Sequence, residues 1–257
     1  MADDMINPEW SRGLALAWGA VPSAQRGPKR EFSLAQVLDH AMAIADADGV
    51  DAVTMPSVAA ALGLTAMSLY RYVSSKDTLL LLLQERGMGS PPDSIGRASG
   101  WRAGLEAHAE ASADVYRRHP WMLDITIKGI ATTPNNLTWM EAGLAALAET
   151  SLTRQERVAV VLQVSGHARF RALIERGYRE RADDAGVSLG AVALAESQLL
   201  DELVTDERFP ELHATLATGA MSAVVDQGFD KFDFGLARIL DGIADYLARH
   251  PATGSAD

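Results

Sequence analysis

The chain has 257 residues, 48% of them apolar, no cysteines and a formal net charge of −11. So much apolar content can bury one large or two smaller cores and excludes a wholly disordered chain. The lack of cysteine excludes disulfides, thiolate metal sites and cysteine nucleophiles, and the acidic balance excludes indiscriminate polyanion binding by the whole surface.

Helix formers recur throughout, and long alternating runs of Val, Ile and Thr are missing, so an all-α chain is predicted. No stretch approaches ~20 uninterrupted apolar residues, so no membrane span is expected. The opening MADDMINPEW carries acids where a secretory signal carries bases, and a cytoplasmic location fits. The stretch MGSPPDSIGRASG, residues 88–100, marks a loop or boundary. The first 90 residues hold 7 basic and 10 acidic groups and the remainder 16 and 24. Neither part is basic, so any contact with nucleic acid must come from a small patch.

Residues 1–30 read as an extension with a short apolar piece, Leu14 to Trp18, and a basic cluster of Arg26, Lys29 and Arg30. The cluster is either a flexible arm able to enter a minor groove or a solvated linker. Ser33 and Gln36 form a capping-box pair ahead of Leu34, Val37, Leu38, Ala41, Ile44 and Ala45, which recur at helical spacing until Gly49. Asp39, Asp46 and Asp48 on its polar side mark this helix as scaffold.

The next stretch, Thr54 to Lys76, contains Arg71 and Lys76 and no carboxylate. Thr54 caps a short helix with Val58 and Leu62 inward, Gly63 supplies a turn, and Thr65 caps a second helix. Leu64, Leu69 and Val73 continue the apolar face and leave Thr65, Ala66, Met67, Ser68 and Arg71 outward. Such a pair reads as a helix-turn-helix. A further helix follows Ser74 or Ser75, and its leucine block, Leu79 to Leu83, implies contact on more than one side.

These residues resemble the start of a TetR-type transcriptional regulator: ADADGVDAVTM, the turn ALGLT, LYRYVSSKDTLL, and upstream RGPKREFSL. The late segment FDFGLARILDGI is similar to the last helix of that family's effector domain. The resemblance implies backbone-phosphate contacts from Thr54, Tyr70, Tyr72 and Lys76, and a base-facing set of Thr65, Ala66, Met67, Ser68 and Arg71. For Tyr70 and Tyr72 the alternative is packing against the next helix. Pro56 and Ser57 stand where several relatives carry a basic or polar pair.

Beyond the loop, Trp101, Leu105, His108, Ser112, Val115 and Tyr116 share one stripe of a helix stopped by Pro120. That stripe is either a pocket wall or a core holding a satisfied histidine. Thr133 and Pro134 start a helix with a stripe of Leu137, Met140, Leu144 and Leu147 and with Trp139 on its flank. Thr153 and Glu156 cap the longest helix, apolar nearly all round from Val158 to Val164 and so expected between two layers. Its Gln163, His167 and Phe170 either face a ligand or make interhelical contacts. Residues 186–228 are helical in composition but unplaced. A last helix from about Phe232 to Arg249 repeats Leu236, Ile239, Leu240, Ile243 and Leu247 near a heptad seam.

The expected organisation is all-α. Residues 1–30 form an extension and basic arm, and residues 31–90 a three-helix helix-turn-helix DNA-binding domain. Residues 91–250 form a larger helical effector-binding and dimerisation domain, and residues 251–257 a disordered tail. Trp101, His108, Tyr116, Trp139, Gln163, His167 and Phe170 are the candidate ligand contacts. Ala168, Ala172, Leu236, Ile239, Leu240, Ile243 and Leu247 are the candidate dimer seam, since the family pairs these two helices across a two-fold axis. The partners implied are double-stranded operator DNA, a small-molecule effector and a second copy. HExxH and GxxxxGK[ST] are absent from the sequence, so no enzyme, cofactor or metal is expected. The function implied is a repressor released from a palindromic operator by a small molecule, and the alternative is a helical protein-protein adaptor.

Overall fold

Apolar residues at helical spacing build α-helices throughout the computed structural model, which describes residues 8–20, 32–127, 129–219 and 230–251. Lys29, Arg30 and the basic arm lie outside the described residues. In chain order the helices are α1 (Pro8–Ala17), α2 (Leu34–Asp48), α3 (Met55–Ala61), α4 (Ala66–Leu69), α5 (Lys76–Met88) and α6 (Trp101–Arg118). Then come α7 (Pro134–Ala146), α8 (Arg154–Ala185), α9 (Leu189–Leu203), α10 (Pro210–Leu216) and α11 (Lys231–Arg249). Short 3-10 turns span Val50–Ala52 and Pro120–Leu123. The chain divides into two compact units between Ser165 and Gly166.

Local chemistry sets most helix ends in the first unit. Ser33 and Gln36 exchange both capping-box hydrogen bonds at the start of α2. Thr54 and Ser57 do the same at α3, and Thr65 caps α4 through the Ser68 amide. The α3–α4 turn is a Schellman motif, in which Gly63 N–H donates to Ala60 at 3.0 Å and Leu64 N–H to Ala59 at 2.8 Å. Gly63 takes φ +68°, a left-handed conformation that a side chain resists, so this position favours glycine.

α5 is the hub of the unit. Leu79, Leu82 and Leu83 are buried, and α1, α2 and α7 all pack on it, as its uninterrupted leucine block requires. Two of those neighbours extend the expected picture. Residues 8–17, within the expected extension, are helical, and Gly13 of α1 lies against Leu81 and Thr78 of α5. Ten residues make a marginal helix on their own, so this one depends on its docking. Trp18, just after α1, donates its indole N–H to the Thr132 carbonyl at 3.0 Å.

Residues 89–100 connect α5 and α6 as a loop, yet packing continues across it. Asp46 of α2 accepts from His119 Nδ1 at 2.8 Å and from the Trp121 indole at 2.6 Å. Trp121 and Met122 are buried beside Gly87 of α5, where an added Cβ would stand 3.0 Å from the Met122 sulfur and 3.2 Å from the Trp121 ring. This close approach, with Arg86 paired to Asp39, ties α2, α5 and the Pro120–Leu123 turn together. The first compact unit therefore runs on to Ser165.

Two expected helix faces are corrected. On α7 the buried residues are Trp139 and Gly143, with Leu147 just beyond, and Leu137 is exposed. The expected stripe holds at Leu147 and in part at Met140 and Leu144, but the large indole, with a hydrogen-bond partner waiting, takes the inner position in place of Leu137. On α8, Val161 and Val164 are buried while Leu162 and Gln163 are exposed. Among the described residues one face of this segment is covered, where two were expected.

In the second unit α8 and α11 are bound by polar contacts. Arg171 reaches Glu175 on its own helix at 2.8 Å and Asp233 and Asp230 of the α11 start at 2.8 and 3.3 Å. His167 Nε2 lies 3.0 Å from the Phe232 carbonyl, and Asp230 caps α11 through the Phe232 and Asp233 amides. α9 and α10 occupy part of the unplaced stretch and pack on each other.

Candidate nucleic-acid interface and buried polar cluster

The helix-turn-helix presents a small, mixed surface. Met67 is 77% exposed, and Thr65, Tyr70, Arg71 and Lys76 are exposed as well. Ala66 and Ser68 are half-buried. Thr65 Oγ1 and Ser68 Oγ are 3.0 Å apart and the Ser68 amide donates to Thr65, so both hydroxyls are partly committed to holding α4. The face left for base edges is one guanidinium and one thioether side chain.

Around it the implied phosphate set divides. Thr54 is half-buried and accepts from the Ser57 amide at 3.1 Å, a capping role. Ser57 Oγ lies 2.7 Å from the Ala52 carbonyl and accepts from the Thr54 amide, so it is held in the turn. Tyr72 is 6% exposed, and its hydroxyl accepts from the Phe32 amide at 3.3 Å. Tyr72 is thus corrected from the outer surface to the core, while Tyr70 keeps an exposed ring. Lys76 opens α5 and lines a groove of about 290 Å³ that also holds Asp51, Asp77 and Asp124, carboxylates that temper its field.

The candidate effector residues fall into separate groups. In the first unit His108 of α6 is 2% exposed and meets the Trp139 ring edge-on at 5.5 Å. His108 Nε2 lies 3.2 Å from Ser165 Oγ, while Nδ1 is buried with no partner among the described residues. Burial lowers the His108 pKa from 6.5 to about 4, so the ring is neutral near pH 7. Trp139 donates its indole N–H to the Gly89 carbonyl at 3.0 Å, just after α5. Beside it Glu85 of α5 accepts from the Asn135 amide at 2.7 Å, and the Asn135 side chain donates to the Glu85 carbonyl at 2.9 Å. Tyr116 packs partly buried against the core and Trp101 is half-buried at the α6 start.

In the second unit His167 and Phe170 both meet Phe232, each ring pair 6.1 Å apart. Phe170 is 56% exposed, so its outer side is open. The expected dimer seam is corrected in part. Ala168, Ala172 and Leu240 are buried within the single chain, whereas Leu236, Ile239, Ile243 and Leu247 are half-buried. Small residues at 168 and 172 serve packing inside the chain, and the outward apolar groups are instead Phe170, Leu173, Ile174 and Phe234.

Sequence reasoning missed Ser57, Ser165, Gly89 and Phe232. Ser57 was findable as the third residue after a capping threonine. Ser165 lies two residues after Gln163 on a helix of known phase. Gly89 and Phe232 act here through main-chain carbonyls and leave no side-chain signal.

Comparison with known proteins completes the picture. Residues 96–247 match the family description "Tetracyclin repressor-like, C-terminal domain" and residues 37–83 match "Bacterial regulatory proteins, tetR family". The chain belongs to the TetR family. This TetR-family chain is 34% identical over 241 residues to the HTH-type transcriptional repressor DrrR1 of Streptomyces coeruleorubidus, covering 93% of the chain and 87% of that protein. The apo structure of ActR from Streptomyces coelicolor has the same fold, with a TM-score of 0.70 at 20% identity, covering 86% of this chain and 99% of that one. ActR solved in complex with actinorhodin aligns at a TM-score of 0.66 and 21% identity, covering 85% and 99%. Among the described residues, no helix is long and apolar enough to cross a membrane.

Proposed function

We propose that this TetR-family regulator is a cytoplasmic homodimeric repressor that leaves a near-palindromic operator when a small molecule binds near His108. The observation that carries the regulatory part is the chain of contacts from His108 to Trp139 to Gly89. A molecule that displaces the His108 ring meets Trp139, and Trp139 holds the end of the helix on which the DNA-reading unit is built. Its leverage is limited to its differential affinity for the two states. A dimer carries two α4 segments to successive major grooves ~34–36 Å apart, and the exposed Phe170, Leu173, Ile174 and Phe234 suit contact with the second copy. The solved pairing of ActR with actinorhodin supports a small-molecule effector for this relative. Such a role requires no catalysis.

Footprinting the purified protein on the DNA beside its own gene tests the assignment. Two protected half-sites one helical turn apart are expected, with protection lost on adding an effector. A protein that protects no site and instead retains a protein partner would establish the adaptor reading.

A further inference from the structure

The His108 ring carries more information than its position. Ser165 Oγ has a single proton, and the nearer acceptor is the Val161 carbonyl at 2.8 Å, against 3.2 Å to His108 Nε2. With that proton spent, Ser165 can only accept from the ring, so Nε2 carries the hydrogen and Nδ1 presents a bare lone pair. The opposite tautomer would leave a buried N–H donor with no partner. Nδ1 is enclosed, and no group among the described residues bonds it. A buried polar atom left so is rare and destabilising until something bonds it.

We infer that the effector presents a neutral hydrogen-bond donor, of the class of a phenolic hydroxyl or an amide N–H on an apolar body, to Nδ1 of His108. The inference rests on the effector reading above. The groups against the ring, Ser165, Trp139 and Gly143, are uncharged. An anion would meet a lone pair and no counter-charge, and an ammonium would lose its hydration for one hydrogen bond. A molecule bearing only ether or ketone oxygens has nothing to donate. Sites built around a specific polar pairing discriminate strongly against the analogue that lacks it.

The test uses the full chain with ¹⁵N-labelled histidine and three probes of one shape: 2-naphthol, 2-methoxynaphthalene and 2-naphthoate. NMR of the ligand-free protein at pH 7 is expected to show His108 protonated at Nε2 and bare at Nδ1, and a proton on Nδ1 overturns the inference. Titration is expected to shift the Nδ1 signal with naphthol alone, and naphthol should bind about tenfold tighter than its methyl ether. Equal binding of the two, or an unmoved Nδ1 signal, overturns it. In His108→Phe the preference for naphthol should disappear, and a preference that persists overturns the inference. If that variant does not fold, Ser165→Ala should mix the tautomers and shrink the preference, and an unchanged tautomer counts against the inference. Operator occupancy measured alongside separates the two readings. Naphthol bound at Nδ1 without operator release upholds the ligand class and sinks the regulatory reading. Release that persists in His108→Phe does the reverse.

Discussion

The indole N–H of Trp139 donates to the Gly89 carbonyl across 3.0 Å, while the same ring faces His108 at 5.5 Å. One side chain thus touches both the buried histidine of α6 and the end of the helix that carries the DNA-reading unit. Replacing it by Trp139→Phe keeps an aromatic ring beside His108 and strands the Gly89 carbonyl. We expect a loss of about 1 kcal/mol in urea unfolding, the scale of one part-buried hydrogen bond. An unchanged midpoint would show that the bond contributes nothing.

Burial keeps His108 neutral, with its pKa lowered to about 4. The unfolded chain takes up a proton near pH 6.5 and the folded chain does not, so stability falls as pH drops from about 6.5 to about 4. The full effect of the shift is on the order of 3 kcal/mol. In the His108→Phe variant this contribution is absent. The melting temperature of the native protein should therefore fall more between pH 7 and pH 5 than that of the variant. Parallel pH profiles would contradict the assignment.

Gly87 faces the sulfur of Met122 at 3.0 Å and the Trp121 ring at 3.2 Å from where a Cβ would stand. Gly87→Ala requires the Met122 and Trp121 side chains to give by a few tenths of an ångström in a closely packed turn. The expected cost is about 1–3 kcal/mol, read by thermal unfolding. The intrinsic helix preference of alanine works in the opposite direction, so a stabilised variant would mean that the turn yields easily.

On the DNA side, Arg71 and Lys76 are both exposed, and the family resemblance implies base readout for the first and phosphate contact for the second. Arg71→Ala should alter sequence preference at one position of each half-site, at about 1–3 kcal/mol per site. Lys76→Ala should weaken binding to all sequences alike and lower the salt slope by about one. Binding titrations at several salt concentrations on operator and scrambled DNA separate the two. Wild-type behaviour of both variants would remove α4 and the α5 start from the interface.

Met67 is the most open large apolar side chain of the helix-turn-helix. Met67→Gln should reduce the preference for a thymine at the facing base pair, since the apolar contact with its methyl group is replaced by an amide. Systematic single-base replacement in the footprinted half-site reads this out, and an unchanged base profile would exclude Met67 from readout.

Features governed by interactions within four or five residues were legible in the sequence. The caps at Ser33, Thr54, Thr65 and Thr153, the turn at Gly63 and the outward placement of Met67 and Arg71 all follow from local donors, acceptors and helical phase. The family resemblance rested on the same local residues. Periodicity names an apolar stripe but not the surface that covers it, so only the tertiary structure turned Trp139 inward and Leu137 outward. It also buried Tyr72, Ala168 and Leu240 within one chain, and docked the short helix α1 on α5. Contacts to main-chain carbonyls, Gly89 for Trp139 and Phe232 for His167, are invisible in any side-chain pattern because every residue carries the same group. The state of His108 belongs to this second class, since its burial, its neutral ring and its unmatched nitrogen are all set by residues far along the chain.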